Sequence, residues 1–173
     1  METLKYKYAA DGAYPDLADV QRDLRSAKII QNLYAGKSSE LSAITQYCYQ
    51  AFVSQRFNDE INEVFLHIAE VEMHHLELLA NAIIKLGGNP TFSNSGGWWS
   101  GSNVYYNNNI INMINRDIRD EELAILDYKK AAAFIKDAGV DALLNRIIAD
   151  EEVHIEVLTR LKEAVIFYLP EGK

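Results

Sequence analysis

Two segments of this chain put a glutamate and a histidine three residues apart: Glu72 with His75 in HIAEVEMHHLELL (67–79), and Glu151 with His154 in IIADEEVHIEVL (147–158). On a helix, residues i and i+3 lie one above the other, so each pair offers a carboxylate and an imidazole to one point in space. Both pairs sit among Ile, Leu, Val and Ala, where a solvated face would be polar. A second motif precedes each pair. Residues 40–47 (ELSAITQY) and 121–128 (EELAILDY) share the form E-x-x-A-I-x-x-Y, and Glu40 precedes Glu72 by 32 residues as Glu121 precedes Glu151 by 30. A pattern that occurs twice in the same order reads as two helical hairpins related by an approximate twofold axis.

Folded together, the hairpins bring Glu40, Glu72, Glu121 and Glu151 into the interior with His75 and His154. Four buried carboxylates without partners would each cost several kcal/mol, on the order of what burial of an unpaired charge demands. Two divalent cations cancel the four charges. In that arrangement Glu72 and Glu151 bridge the ions, Glu40 and Glu121 each bind one, and each histidine completes one shell. Mixed oxygen and nitrogen donors suit iron or manganese better than zinc. Either Glu72 or Glu151 is the carboxylate expected to shift coordination or move protons. Tyr47 and Tyr128, seven residues after the terminal glutamates on the same face, are read as hydrogen-bond partners of the ligand carboxylates or as core packing. His67, Glu70 and His74 fall on the opposite face from Glu72 and read as solvated or as a subunit contact. Glu122 reads as a surface carboxylate, and Asp117, one turn before Glu121, as a neighbour of the site.

The elements that must carry these residues follow from periodicity and capping signals. Pro15 and Asp16 fit the start of a first helix ending at Gly36, with Leu17, Val20, Leu24, Ala27, Ile30 and Leu33 in helical spacing. It reads as an addition to the main fold. Ser38 and Ser39 can cap a second helix running to about Phe57, and Asn58 and Asp59 a third that stops at Gly87 and Gly88. The next twenty or so residues, rich in Gly, Ser and Asn, have the length of a connection that travels a whole bundle. Trp98 and Trp99 are expected to pin it to the bundle or to a partner subunit. A fourth helix is expected over about 109–138, ended by Gly139, and a fifth over 140–168, with Pro170 closing the chain. The reading is all-α: a left-handed, up-down-down-up four-helix bundle with one long crossover, in a single domain of residues 1–173 comprising an N-terminal segment and helix (1–37) and the bundle (38–168).

The 173 residues carry 17 basic and 25 acidic side chains, a net charge of −8, and no basic run that would displace counterions from a nucleic acid. No stretch of about 18 apolar residues offers a membrane span, and the N-terminus lacks a signal-type apolar core, so a cytoplasmic protein is expected. Cys48 is the single cysteine, which rules out an intrachain disulfide and a four-thiolate iron site, and leaves a small buried side chain.

On these residues the chain, over nearly all of 38–168, resembles the ferritin-like di-metal carboxylate superfamily, whose pattern is a Glu on each of two helices and E-x-x-H on each of the others. Within it, the SSELSAITQY and HIAEVEMHHLELL segments and the repeat at 121–154 are similar to manganese catalases and their spore-coat relatives, and to the di-iron domain of rubrerythrins. The resemblance implies two iron or two manganese ions per chain and redox chemistry on hydrogen peroxide or dioxygen, with an external electron donor if the activity is a peroxidase. A homo-oligomer is expected. Ferritin or bacterioferritin-like iron oxidation and storage is the alternative, against which stands the lack of room for a short helix after residue 168; a metal-stabilised structural, spore-coat-like component is a third. Met73, in the string E-M-x-H, occupies the place where bacterioferritins put a haem-ligating Met, though one methionine on a helix flank more often packs than binds haem.

Overall fold

The computed structural model describes residues 6–57 and 59–168, and five α-helices account for most of them. They are α1 (Leu24–Ala35), α2 (Glu40–Ser54), α3 (Asp59–Lys85), α4 (Ile110–Phe134) and α5 (Ala138–Tyr168). Helices α2 and α3 form one hairpin, and α4 and α5 the other. The start of α3 (Ile61–Ala69), the start of α4 (Ile110–Ile114), the end of α2 (Tyr47, Ala51) and the end of α5 (Val157–Val165) share one apolar cluster. Helices α3 and α4 therefore run parallel, which is the up-down-down-up order that a long crossover produces.

The opposite end of the bundle has its own apolar cluster, built from Leu79 to Leu86, Ile125 to Ile135 and Val140 to Ile148 together with Ala27, Ile30, Leu33 and Tyr34 of α1. Helix lengths explain the contribution of α1. At 1.5 Å per residue, the 15 residues of α2 span about 22 Å and the 27 of α3 about 40 Å, so α2 covers roughly half of its partner. Helix α1 covers the rest. It is thus part of the bundle wall, and each aliphatic side chain it buries contributes about 1.5–3 kcal/mol.

Several boundaries differ from the sequence expectation. Helix α1 begins at Leu24, because Asp23 caps it by accepting from Arg25 N (2.9 Å) and Ser26 Oγ (2.5 Å); residues 16–22 are not helical, and Leu24 is exposed. Gly139 does not end α4. That helix stops at Phe134, and Asp137 accepts from Gly139 N (3.0 Å) and Val140 N (3.1 Å), which places the glycine inside the first turn of α5. Ser39 precedes α2 without capping it by its side chain; its hydroxyl donates to Gly36 O instead. At the end of α3, Gly87 adopts φ +85° and Gly88 N donates to Ile83 O, the left-handed closure that glycine permits. Asn58 as a cap and Pro170 as a stop lie outside the described residues.

The crossover holds a two-residue antiparallel ladder, Ser93–Asn94 (β1) with Gly97–Trp98 (β2), and a short 3₁₀ turn at Gly101–Asn103. Trp99 anchors it through Nε1 to Ser42 Oγ (2.9 Å), Tyr105 N donates to Gln46 Oε1 (2.9 Å) and the Tyr49 hydroxyl donates to Asn107 O (3.0 Å), so the strap is tied along α2. Trp98 does not pin the strap to its own bundle; it is 78% exposed. Cys48 is half-buried and free. No helix among the described residues is long and apolar enough to cross a membrane.

Candidate metal centre

Between the two apolar clusters lies one polar layer. Helix α2 contributes Glu40 at its first turn, where the helix dipole favours a negative charge, α3 contributes Glu72 and His75, α4 Glu121, and α5 Glu151 and His154. All six are buried, none more than 4% exposed. Their ligand atoms form two sets, Glu40, Glu72, His75 and Glu151 in one, and Glu72, Glu121, Glu151 and His154 in the other, with the atoms of each set within 4.8 Å of one another. Glu72 and Glu151 belong to both sets. The six residues singled out from the repeat are thus brought together, and their sharing pattern is that of two bridging and two terminal carboxylates.

The imidazoles present the same atom to the layer. His75 Nδ1 lies 3.0 Å from Glu72 Oε2, 3.4 Å from Glu151 Oε1 and 3.6 Å from Glu40 Oε2. His154 Nδ1 lies 3.0 Å from Glu151 Oε2, 3.1 Å from Glu72 Oε1 and 3.8 Å from Glu121 Oε1. The terminal glutamates are held across the hairpins: Tyr128 of α4 donates to Glu40 Oε1 of α2, and Tyr47 of α2 donates to Glu121 Oε1 of α4. This reciprocal exchange is what an approximate twofold axis through the layer requires.

The electrostatics show what the layer lacks. Burial pushes Glu40 and Glu121 well above the usual carboxylate range, and the neighbouring charges of Glu72 and Glu151 push them further. His75 and His154 are raised despite burial, because the carboxylates beside them favour the imidazolium, Glu151 for His75 and Glu72 for His154. Burial also works to raise Glu72, but the charge of His154 and the hydrogen bond from His75 hold it well below its ordinary value. Among the described residues, Glu40 Oε2 and Glu72 Oε1 accept no hydrogen bond, although both are buried. Carboxylate oxygens left bare beside imidazole nitrogens are the donor set that a pair of divalent cations would complete, so the residues fit such a pair.

One participant was not foreseen. Asp150, adjacent to Glu151, accepts from His75 Nε2 (3.0 Å) and Tyr14 Oη (2.7 Å) on one oxygen, and from Ala10 N (2.7 Å) and Arg146 Nη1 (2.5 Å) on the other. Those bonds hold its carboxyl well below the usual range against the opposing effect of burial. Its only sequence signal is the Arg146-x-x-x-Asp150 spacing, which reads as a surface ion pair. Asp117, expected as a neighbour, is fully buried on α4 and accepts from Gln46 Nε2 (2.9 Å) and Gln50 Nε2 (2.8 Å). His67, Glu70 and His74 are exposed on the outer face of α3, where Tyr8 packs on His67 and Tyr14 on His74. Glu122 is exposed, and Met73, half exposed, lies on the outside of α3 away from the layer.

A pocket offering about 60 Å³ to water-sized molecules runs from the α2–α4 surface to Glu72 and Glu151, with Lys37, Arg116 and Asp120 among its lining residues. It has room for a few waters and for nothing much larger.

A helical bundle with one long crossover and a buried Glu and His layer contributed by four helices defines the ferritin-like class. The sequence model of rubrerythrin matches residues 31–162, and the chain belongs to the rubrerythrin family. It is 30% identical over 138 residues to a bacterioferritin of Desulfovibrio desulfuricans, covering 78% of this chain and 74% of that protein. It is 28% identical over 163 residues to a probable manganese catalase of Clostridium acetobutylicum, covering 79% and 71%. Among solved structures, the fold matches the Desulfovibrio desulfuricans bacterioferritin, described with a diiron site, at TM-score 0.71 and 28% identity over 85% of this chain and 84% of that one. It also matches a manganese catalase from Anabaena PCC7120 at TM-score 0.81 and 20% identity over 93% and 80%, a likeness of fold alone.

Proposed function

We propose that this protein is a di-iron or di-manganese carboxylate oxidoreductase acting on hydrogen peroxide or dioxygen, a manganese catalase-like enzyme or a rubrerythrin-type peroxidase. The observation that carries the reading is the pair of overlapping buried ligand sets that share Glu72 and Glu151. Glu40 and His75 would hold one ion and Glu121 and His154 the other, with Glu72 and Glu151 available to both. Two iron or manganese ions in that position supply the electron transfers that peroxide and dioxygen chemistry needs. The chain supplies the rest. Tyr128 and Tyr47 fix the terminal carboxylates, Asp150 orients His75, and the narrow pocket admits a molecule of peroxide size to the bridging pair while keeping bulky reductants out. Glu72 or Glu151, facing that pocket, holds and returns the proton that peroxide bond cleavage displaces.

The identity to a bacterioferritin supports a second reading, iron oxidation and storage. Metal analysis of protein purified without chelator tests the site on which both readings rest: about two Fe or Mn per chain are expected, and none after reconstitution refutes the site. Oxygen evolved from peroxide without added reductant identifies a catalase, and reductant-dependent peroxide consumption a peroxidase. A shell of about two dozen subunits enclosing iron mineral would replace both with storage.

A further inference from the structure

The duplicated hairpins are not duplicated in how they support their histidines. His75 Nε2 donates to Asp150, and Asp150 is itself clamped by Arg146, by the Tyr14 hydroxyl and by the Ala10 amide. Arg146 in turn donates to Ala10 O (2.8 Å) and Gly12 O (3.3 Å) and lies 4.3 Å above the Tyr14 ring. The segment of residues 10–14 is thereby bound to the back of one histidine. His154 Nε2 is buried with no hydrogen-bond partner among the described residues. The repeat explains the difference: Asp150 immediately precedes Glu151 on α5, and the residue that immediately precedes Glu72 on α3 is Val71. By the repeat, an apolar residue takes the place in sequence of the second carboxylate.

From this asymmetry, and resting on the di-metal reading of the layer, we infer that the two metal positions are unequal: the one completed by His75 fills first and is retained, and the one completed by His154 fills second and exchanges readily. A carboxylate accepting Nε2–H fixes the tautomer in which Nδ1 carries the free lone pair, holds the ring in place, and makes Nδ1 a better donor. His75 has all three advantages. His154 has none, and binding through its Nδ1 leaves an N–H buried without an acceptor, a penalty that its counterpart does not carry. The bridging glutamates serve both ions and do not discriminate between them. Loss of such a supporting carboxylate changes metal affinity by about 10–100-fold, so the two steps are expected to differ by at least about 10-fold.

The test is titration of Mn²⁺ into metal-free protein, followed by calorimetry and by electron paramagnetic resonance. Two sequential steps of one ion each are expected, and at one equivalent the spectrum should be that of isolated Mn²⁺ rather than of coupled pairs. Asp150→Asn should weaken the first step by about 10–100-fold and leave the second where it was. Val71→Asp should strengthen the second step while leaving the first unchanged, and it decides the matter should Asp150→Asn not fold. Two ions binding as a single class, coupled pairs at one equivalent, or a second step indifferent to Val71→Asp would each overturn the inference while leaving the di-metal reading intact. No Mn²⁺ or Fe²⁺ binding at all would overturn both.

Discussion

Asp117 offers a test of the electrostatics that does not touch the six proposed ligands. It is fully buried on α4, and burial raises its carboxyl to about 8 from an ordinary 3.8, with Gln50 and Gln46 only partly offsetting that effect. Its Oδ2 and Gln50 Oε1 are both buried without a hydrogen-bond partner among the described residues, so this network is short of a donor, which a proton on Asp117 supplies. A group whose folded value exceeds its unfolded value binds the proton more tightly when folded. Its contribution is therefore fully present below pH 3.8 and is lost as pH rises through about 8. At pH 7 the unfolded chain has ionised this carboxyl and the folded chain has not. At about 1.4 kcal/mol per pH step over roughly three steps, the cost is about 4 kcal/mol. Asp117→Asn keeps the shape and supplies donors without ionising. Chemical denaturation of the metal-free protein should therefore find the variant more stable by up to about 4 kcal/mol at pH 7, roughly 8–16 °C in melting temperature for a chain of this size. The gain should shrink to nothing by pH 4. A variant no more stable than wild type at pH 7, or a gain that persists undiminished at pH 4, would refute the reasoning.

Three further outcomes are expected. The metal-free protein should lose stability as pH rises past the ordinary values of these groups, 4.5 for Glu40 and Glu121 and 6.5 for His75 and His154, because all four are raised in the fold and hold protons that the unfolded chain has already shed, and loading to about 1,000 times Kd should restore about 4 kcal/mol, read as a shift in the denaturation midpoint. Tyr128→Phe leaves Glu40 Oε1 buried without its donor, so equilibrium dialysis should show a 10–100-fold weaker ion at that position, while Tyr47→Phe does the same at Glu121; equal affinity in either variant would show the tyrosines to be packing alone. Ile30→Ala should cost about 2–5 kcal/mol in denaturation experiments, since Ile30 is fully buried in the α1 end of the bundle; a loss under about 1 kcal/mol would mark α1 as dispensable decoration.

The residues that converge on the centre were legible because each repeats at matched spacing on an apolar face, and a helix converts spacing into direction. The crossover and the parallel α3 and α4 followed from loop length. Asp150 was not legible. Its partners, His75, Tyr14 and Ala10, come from distant parts of the chain, and one position away from Glu151 on a helix is about a quarter turn, enough to look like a solvated flank. Gly139 misled for a related reason: a glycine between two helices suggests an end, while the Asp137 carboxylate two residues earlier makes it a beginning. The role of α1 was hidden because α2 begins only at Glu40, beside the middle of α3, and which element covers the remaining end of α3 depends on how the chain before Glu40 docks.

The division of the ligands between hairpins has a kinetic consequence. Helix pairs α2–α3 and α4–α5 are close in sequence and meet through short turns, so each can form early at little loop-closure cost. Neither four-residue set, however, is contained in one hairpin: the first needs Glu151 from the second half, and the second needs Glu72 from the first. Coordination of a metal by either set would therefore have to await docking of the halves. In stopped-flow refolding, the far-ultraviolet helical signal should rise before a Co²⁺ absorption band does, and the lag between them would time the docking event itself.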